Sequence, residues 1–282
     1  MKKIVSFVLM CTLLASLLAL TVGAAPASTQ SASSSWVSVY IGNERFTGPT
    51  QVTDATTFVG IRKFSTAMDG TARVTYTSAT RTLTVSTAGL YLTAHDGDSY
   101  IVANGRYLYT GSPVYLRDGV MYAPILLLVR AFGASARWSD SISGFYVTRG
   151  SGGIRSGSAY YDSDEVYWLA QIISAESRGE PLLGKIAVGN VVLNRVRSSE
   201  FPNTIYGVIF DRQYGIQFTP VANGHIYDTA TAESIIAAKI CLEGTTVSTR
   251  ILYFVNPKLA PNSWIVRTRP FYRQIGNHAF YL

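Results

Sequence analysis

Asp162-Ser163-Asp164-Glu165-Val166-Tyr167-Trp168-Leu169-Ala170-Gln171-Ile172-Ile173-Ser174-Ala175-Glu176-Ser177-Arg178-Gly179-Glu180-Pro181 is a helix followed by a break. Asp162, with Glu165 three residues on, makes a capping-box-like start, so a helix is expected over residues 166–176. Gly179 and Pro181 end it and open a second helix over 182–196. That helix is apolar around most of its circumference, with Ile186, Val192, Leu193 and Val196 expected inside. Gly189 sits mid-helix at a cost of about 1 kcal/mol against alanine, so its expected reason is close packing. A third helix, over 231–242, stops at Gly244 and carries Cys241 in an apolar run as a buried structural thiol. The remainder of this half is aromatic and turn-rich, and a small α-rich domain fits it.

Working outward, the first half changes period. Val37-Ser38-Val39-Tyr40-Ile41 alternates and meets a turn at Gly42-Asn43. Arg73-Val74-Thr75-Tyr76 and Thr82-Leu83-Thr84-Val85 flank a polar turn, and Tyr100-Ile101-Val102 runs to Asn104-Gly105, a hairpin signal. Residues 121–132 are continuously apolar with Pro124 early, which predicts a short buried helix after a strand. An internal repeat is visible. Residues 122–132, then Ala136-Arg137-Trp138, then Phe145-Tyr146-Val147 echo residues 58–64, then Val74-Thr75-Tyr76, then Leu83-Thr84-Val85. Each copy gives a strand, a helix or turn, then a hairpin. Gly150-Ser151-Gly152-Gly153-Ile154-Arg155-Ser156-Gly157-Ser158 is flexible in composition and marks a boundary.

The 282 residues are 48% hydrophobic and 15% charged, with two cysteines and a formal net charge of +7. This composition excludes a disordered chain, a collagen, a disulfide framework and a Cys-rich zinc site. Lys2 and Lys3, an apolar run and Val22-Gly23-Ala24 read as a secretory signal over residues 1–24, the other reading being an uncleaved anchor. Its removal leaves Cys241 as the sole thiol. The modest positive balance suits an anionic polymer. Dispersed arginines and the lack of a basic helix argue against nucleic acid. The three histidines do not form a metal motif: His95 lies in a polar turn, and His225 and His278 lack a third partner.

The carboxylates of the second half differ in setting. Asp162, Asp164 and Glu165 cap a helix. Glu200, Asp211, Asp228, Glu233 and Glu243 fall in turns or at helix ends, where a solvated surface is expected. Glu176 follows Ile173, Ile172 and Leu169 at three, four and seven residues, so it projects from the apolar face. A carboxyl held there is a proton donor near neutrality; the other reading is a glutamate pairing with Arg178. Glu180 is either a second acid or a structural group at the next helix start. Beyond Glu243 there is no Asp or Glu, while Arg250, Lys258, Arg267, Arg269 and Arg273 make the tail cationic.

Ala175-Glu176-Ser177-Arg178-Gly179-Glu180-Pro181, Ala187-Val188-Gly189-Asn190-Val191-Val192-Leu193-Asn194-Arg195-Val196, Phe201-Pro202-Asn203-Thr204-Ile205-Tyr206-Gly207, Gln217-Phe218-Thr219-Pro220-Val221 and Gly276-Asn277-His278-Ala279-Phe280 together resemble the SleB-like cell-wall hydrolase family over about residues 164–282. The resemblance implies a lysozyme-like fold, no cofactor, and peptidoglycan as partner, its glycan strands being cut by a lytic transglycosylase. It implies Glu176 as the catalytic acid, with Ser177 completing a Glu-Ser pair. Gln217, Phe218, Tyr253, Asn256, Trp264 and His278 match family positions or offer the amide and aromatic surfaces that sugars need, and with Ser177 are the expected substrate-binding residues. Hydrolysis with Glu180 or Asp211, and a non-catalytic wall-binding protein, are the alternatives. Ser174 stands where the family often has histidine, and Tyr214-Gly215-Ile216 departs from its glycine before glutamine; both bear on substrate preference. The first half, with Gly133-Ala134-Ser135-Ala136-Arg137-Trp138-Ser139-Asp140 its best stretch, resembles the copper amine oxidase N-terminal-like domain of secreted wall proteins. The expected architecture is α+β: a β-rich βαβ-repeat module over 36–149, a linker over 150–161 and an α-rich domain over 162–282, exported to the wall or spore cortex.

Overall fold

The computed structural model describes residues 37–213 and 215–282; the expected leader at 1–24 lies outside them. The first half opens with β1 (Ser38–Ile41), β2 (Glu44–Arg45), β3 (Thr50–Thr53), β4 (Thr56–Gly60) and α1 (Ile61–Met68). An antiparallel meander follows: β5 (Arg73–Thr77), β6 (Thr82–Ser86), β7 (Tyr91–His95), β8 (Tyr100–Ala103) and β9 (Arg106–Tyr109). Then come β10 (Tyr115–Arg117), β11 (Val120–Pro124), α2 (Ile125–Ala131), β12 (Ser135–Ser139) and β13 (Gly144–Thr148).

The repeat is structural. β4–α1–β5–β6 and β11–α2–β12–β13 have the same order of elements. Their first strands pair antiparallel with Val59 opposite Ala123, so the two copies meet across one sheet. Phe64 of α1 and Phe132 after α2 touch edge-on at 6.4 Å, both fully buried. Asn104 and Gly105 have φ of +50° and +79°, the left-handed pair that a two-residue hairpin between right-twisted strands requires. β1 lies parallel to β13, which ties the start of the module to its end. His95 is the last residue of β7, one place before the turn expected to hold it, and its Nδ1 lies 3.3 Å from the Asp98 carboxylate.

The boundary segment is not a free tether. Ile154 donates to the Ala131 carbonyl, Asn104 Nδ2 donates to the Ile154 carbonyl at 2.7 Å, and Gly157 donates to the Asn104 carbonyl at 2.7 Å. A Cβ on Gly150 would sit 1.8 Å from the Gly133 oxygen, and one on Gly153 1.9 Å from the Gly89 oxygen. These glycines serve close backbone approach rather than flexibility.

After α3 (Gly157–Tyr160), the second half is built on α4 (Ser163–Ser177), α5 (Leu182–Arg197), α6 (Ile205–Phe210), α7 (Thr219–Asn223) and α8 (Ala232–Leu242). β14 (Tyr253–Val255), α9 (Trp264–Thr268), β15 (Phe271–Ile275) and β16 (His278–Tyr281) complete it, with the strands in the order β14-β16-β15. The molecule is therefore mixed α+β, a β-rich half followed by an α-rich one. Asp162 caps α4, accepting from the Asp164 and Glu165 amides at 2.9 and 3.0 Å. The mutually packed helices α4, α5 and α8 bury Leu169, Ile172, Ile173, Ile186, Val188 and Ile240 completely. At their crossing, a Cβ on Gly189 would lie 2.7 Å from Cys241 Sγ and 2.9 Å from Ile173 Cδ1, which is why this helix carries glycine there.

One sequence expectation fails here. Glu243, expected at a solvated helix end, has a side chain 0% exposed. It lies under β9, where Arg106, Arg130 and the Tyr161 hydroxyl all donate to its carboxylate. The module covers this end of α8, a long-range contact that local sequence could not announce.

Candidate active site

α4 ends where the chain must turn into α5, and that turn sets the site. Glu180 is 8% exposed, and its carboxylate accepts from the amide and side chain of Asn277 at 2.9 and 3.0 Å. This fastens the Gly276-Asn277 turn between β15 and β16 over the α4–α5 junction. Gly276 is obligatory there, with φ of +58° and its would-be Cβ on Glu180 Oε2. Lys185 Nζ donates to the Glu180 carbonyl and to Glu233 Oε2, stitching α8 to the same corner.

A ladder of polar groups along α5 positions the opposite wall. Asn190 bonds the Thr245 carbonyl and the Val247 amide, Asn194 the Ser248 and Ile251 carbonyls, and Arg195 Nε the Leu252 carbonyl, all at 2.7–2.9 Å. The extended chain leading to β14 is thereby held along one face of the helix, where side chains four apart align. Gln171 Nε2 donates to the Ile226 and Asp228 carbonyls, and Ser174 Oγ accepts from the Thr231 amide, so the loop before α8 is laid across α4.

Between these walls lie two cavities that meet at Glu176. One, of about 470 Å³, is lined by Glu176, Ser177, Arg178, Glu180, Arg195, Gln217, Phe218, Phe254, Asn256 and His278, among others. The other, of about 380 Å³, is lined by Ser174, Ala175, Glu176, Arg178, Thr219, Pro220, Asn223, His225 and Asp228. Glu176 is half-buried, and its carboxyl makes no hydrogen bond or ion pair with another described residue. Arg178 instead donates to the Thr229 carbonyl, so the Glu176–Arg178 pairing is not formed. Burial pushes the Glu176 carboxyl up to about 7, since the charged form loses solvent and gains no compensating donor.

Five of the seven expected substrate-binding residues reach the cleft. Ser177 is there, but its hydroxyl turns back to the Ile173 carbonyl at 2.5 Å and serves the helix. Gln217 and Asn256 present amides, Phe218 is buried in the wall, and His278 sits edge-on to Phe254 at 5.2 Å. Burial lowers the His278 pKa, favouring a neutral ring, and its Nδ1 has no hydrogen-bond partner among the described residues. Tyr253 and Trp264 do not line either cavity. Tyr253 is buried against Trp264 and Arg195, and Trp264, half exposed, packs on Tyr253 and Arg269. The register of β14 explains the difference, since its ring neighbour on the cleft is Phe254.

Arg195, which no local sequence signal marks out, stands in the cleft wall. It is 5% exposed, lies within 5.5 Å of the Phe201, Phe218 and Tyr253 rings, and burial lowers its pKa to about 10. His225 also lines the smaller cavity, its Nδ1 2.9 Å from Asp228 Oδ2. Among the described residues, no three His, Cys, Asp or Glu side chains gather as a metal-binding group.

The family model described as Cell Wall Hydrolase matches residues 179–281, starting just past Glu176, and that of the copper amine oxidase N-terminal domain matches 40–146. The chain is 42% identical over 120 residues to a spore cortex-lytic enzyme of Bacillus cereus, covering 43% of this chain and 45% of that protein. It thus spans less than half the length of that curated relative. It is 30% identical over 111 residues to the cell wall hydrolase CwlJ of Oceanobacillus iheyensis, covering 37% of this chain and 77% of the relative. Among solved structures, the catalytic domain of the germination-specific lytic transglycosylase SleB from Bacillus anthracis is 39% identical, with a TM-score of 0.40 over 46% of this chain and 100% of that one. With 77% of a cell wall hydrolase spanned at 30% identity, this chain belongs to the cell wall hydrolase family.

Proposed function

We propose that this chain cuts peptidoglycan glycan strands between N-acetylmuramic acid and N-acetylglucosamine as a lytic transglycosylase, with Glu176 as acid and then base. The observation that carries this reading is the state of Glu176: half-buried, without a partner among the described residues, and with a pKa of about 7 at the meeting of two cavities. Two cavities that share the proton donor in their linings suit a polymer bound across the scissile bond. Glu176 gives its proton to the oxygen leaving muramic C1. The resulting carboxylate then takes the proton of the muramic 6-hydroxyl as that oxygen attacks C1, leaving a 1,6-anhydro end and a reprotonated acid. No water is consumed.

A hydrolase would need a second free carboxylate flanking the bond. Glu180 is the nearest in sequence, and both of its oxygens are held by Asn277. Gln217, Asn256 and His278 supply hydrogen-bonding groups to the sugars, and Phe218 and Phe254 an apolar wall. The curated relatives' names, spore cortex-lytic enzyme and cell wall hydrolase, support a wall polymer as substrate. We assign the leader to export and the β-rich module to wall association. Clearing of peptidoglycan in a zymogram by the full chain, lost in Glu176→Gln, is the expected result. Equal clearing by both proteins, or by neither, contradicts the reading.

A further inference from the structure

Arg195 carries five N–H donors. Among the described residues it uses one, Nε to the Leu252 carbonyl at 2.9 Å. Its Nη1 is buried without an acceptor among the described residues, although the residue is 5% exposed and lines the larger cavity beside Glu176. No carboxylate of a described residue pairs with it. Asp211 acts on it through space without a hydrogen bond or ion pair, and Glu180, which lines the same cavity, is taken by Asn277. The guanidinium is fixed between the Phe201, Phe218 and Tyr253 rings at 4.9, 5.2 and 5.4 Å, so it cannot swing out to find a partner without losing that box. A buried cation with spare donors is costly unless something completes it. In a cleft wall, that something arrives with the ligand.

We infer that Arg195 is a specificity-determining residue whose guanidinium donates hydrogen bonds to the acyl oxygen of the lactyl group on muramic C3. This rests on the glycan-strand reading above. The two alternating sugars share their acetamido groups, so a donor reading those cannot tell them apart. The lactyl ether belongs to muramic acid alone, and its acyl oxygen is an acceptor whether it ends as acid, amide or lactam. A planar, charge-bearing fork fixed in an aromatic box is suited to such an oxygen. Seating that group sets which of the two alternating linkages lies over Glu176, making bond choice a consequence of Arg195.

The test uses the full chain bearing Glu176→Gln, so that ligands bind without turnover. Calorimetric titration compares a tetrasaccharide alternating N-acetylglucosamine and N-acetylmuramic acid with chitotetraose. The parent is expected to prefer the muramyl ligand about tenfold or more. Arg195→Met and Arg195→Lys should bring the preference within about threefold, with the loss falling mainly on the muramyl ligand. Equal weakening of both ligands, or a surviving preference, overturns the assignment. Should either variant not fold, the parent's Arg195 Nε signal in a nitrogen-15 spectrum decides. It is expected to shift with the muramyl ligand and not with chitotetraose, and an unmoved signal overturns the assignment. If the parent binds neither sugar, the glycan-strand reading itself falls and takes this inference with it.

Discussion

Arg106 on β9 and Glu243 at the end of α8 are joined by two parallel hydrogen bonds, Nε to Oε1 at 2.8 Å and Nη2 to Oε2 at 2.7 Å. Arg130 adds a third at 2.6 Å and Tyr161 a fourth at 2.6 Å, so one carboxylate ties the β-rich half to the helical one. Lys239 lies over the Tyr107 and Tyr161 rings beside them. The geometry is bidentate and dry, with the Glu243 side chain 0% and that of Arg106 9% exposed. Removing one partner of such a pair leaves a buried charge uncompensated, at about 3–5 kcal/mol. Glu243→Ala is therefore expected to lose that much in denaturant unfolding. Arg130→Ala, whose side chain is 40% exposed, should lose about 1 kcal/mol or less. A loss below about 1 kcal/mol for Glu243→Ala would contradict the coupling.

Glu176 should leave a signature in stability as well as in rate. Burial raises its pKa from 4.5 to about 7, so between those values the folded protein holds a proton that the unfolded chain has released. Stability due to this group therefore falls as pH rises through that window. Glu176→Gln should match the parent near pH 4.5, where both carry a neutral side chain, and exceed it by about 3 kcal/mol at pH 8. Thermal unfolding across this range checks it. The parent's turnover should decline above about pH 7 as the acid is lost. A variant no more stable at pH 8 than the parent would remove the case for a strained carboxyl.

Gly189→Ala should destabilise the helical core by about 1–3 kcal/mol despite alanine's better helix propensity, because its methyl would meet Cys241 Sγ at 2.7 Å. Adding Cys241→Ala makes room for that methyl, so the double variant is expected to recover part of the loss. Additive losses in the double variant would rule out the steric account.

Glu180→Gln should keep activity within about tenfold of the parent, because the amide can still accept from the Asn277 backbone and hold the turn that carries His278. Loss comparable to that of Glu176→Gln would instead make Glu180 a second catalytic carboxyl.

What the sequence disclosed, and what it withheld, divides by range. Helix α4 was legible because Asp162 caps it and its apolar residues recur at helical spacing. The repeat was legible because strand, helix and hairpin each carry a local signature. Glu176 could be singled out since its own helix placed it on the apolar face. Glu243 could not be read, because the groups that bury it come from β9 and α2, far away in the chain. Tyr253 and Trp264 were credited as sugar contacts from their type and position, but strand register turned Phe254 to the cleft in their place. The glycines of 150–153 look flexible by composition and are fixed by backbone packing that composition does not encode. Arg195 was visible as a letter; only its empty donors in a cleft wall gave it a role.

The central claim, one acid serving twice with no attacking water, is tested most directly by mass spectrometry of muropeptides released from purified peptidoglycan by the full chain. The account predicts products ending in 1,6-anhydromuramic acid, each lighter by one water than its reducing counterpart. Reducing muramic ends without the anhydro form would contradict it.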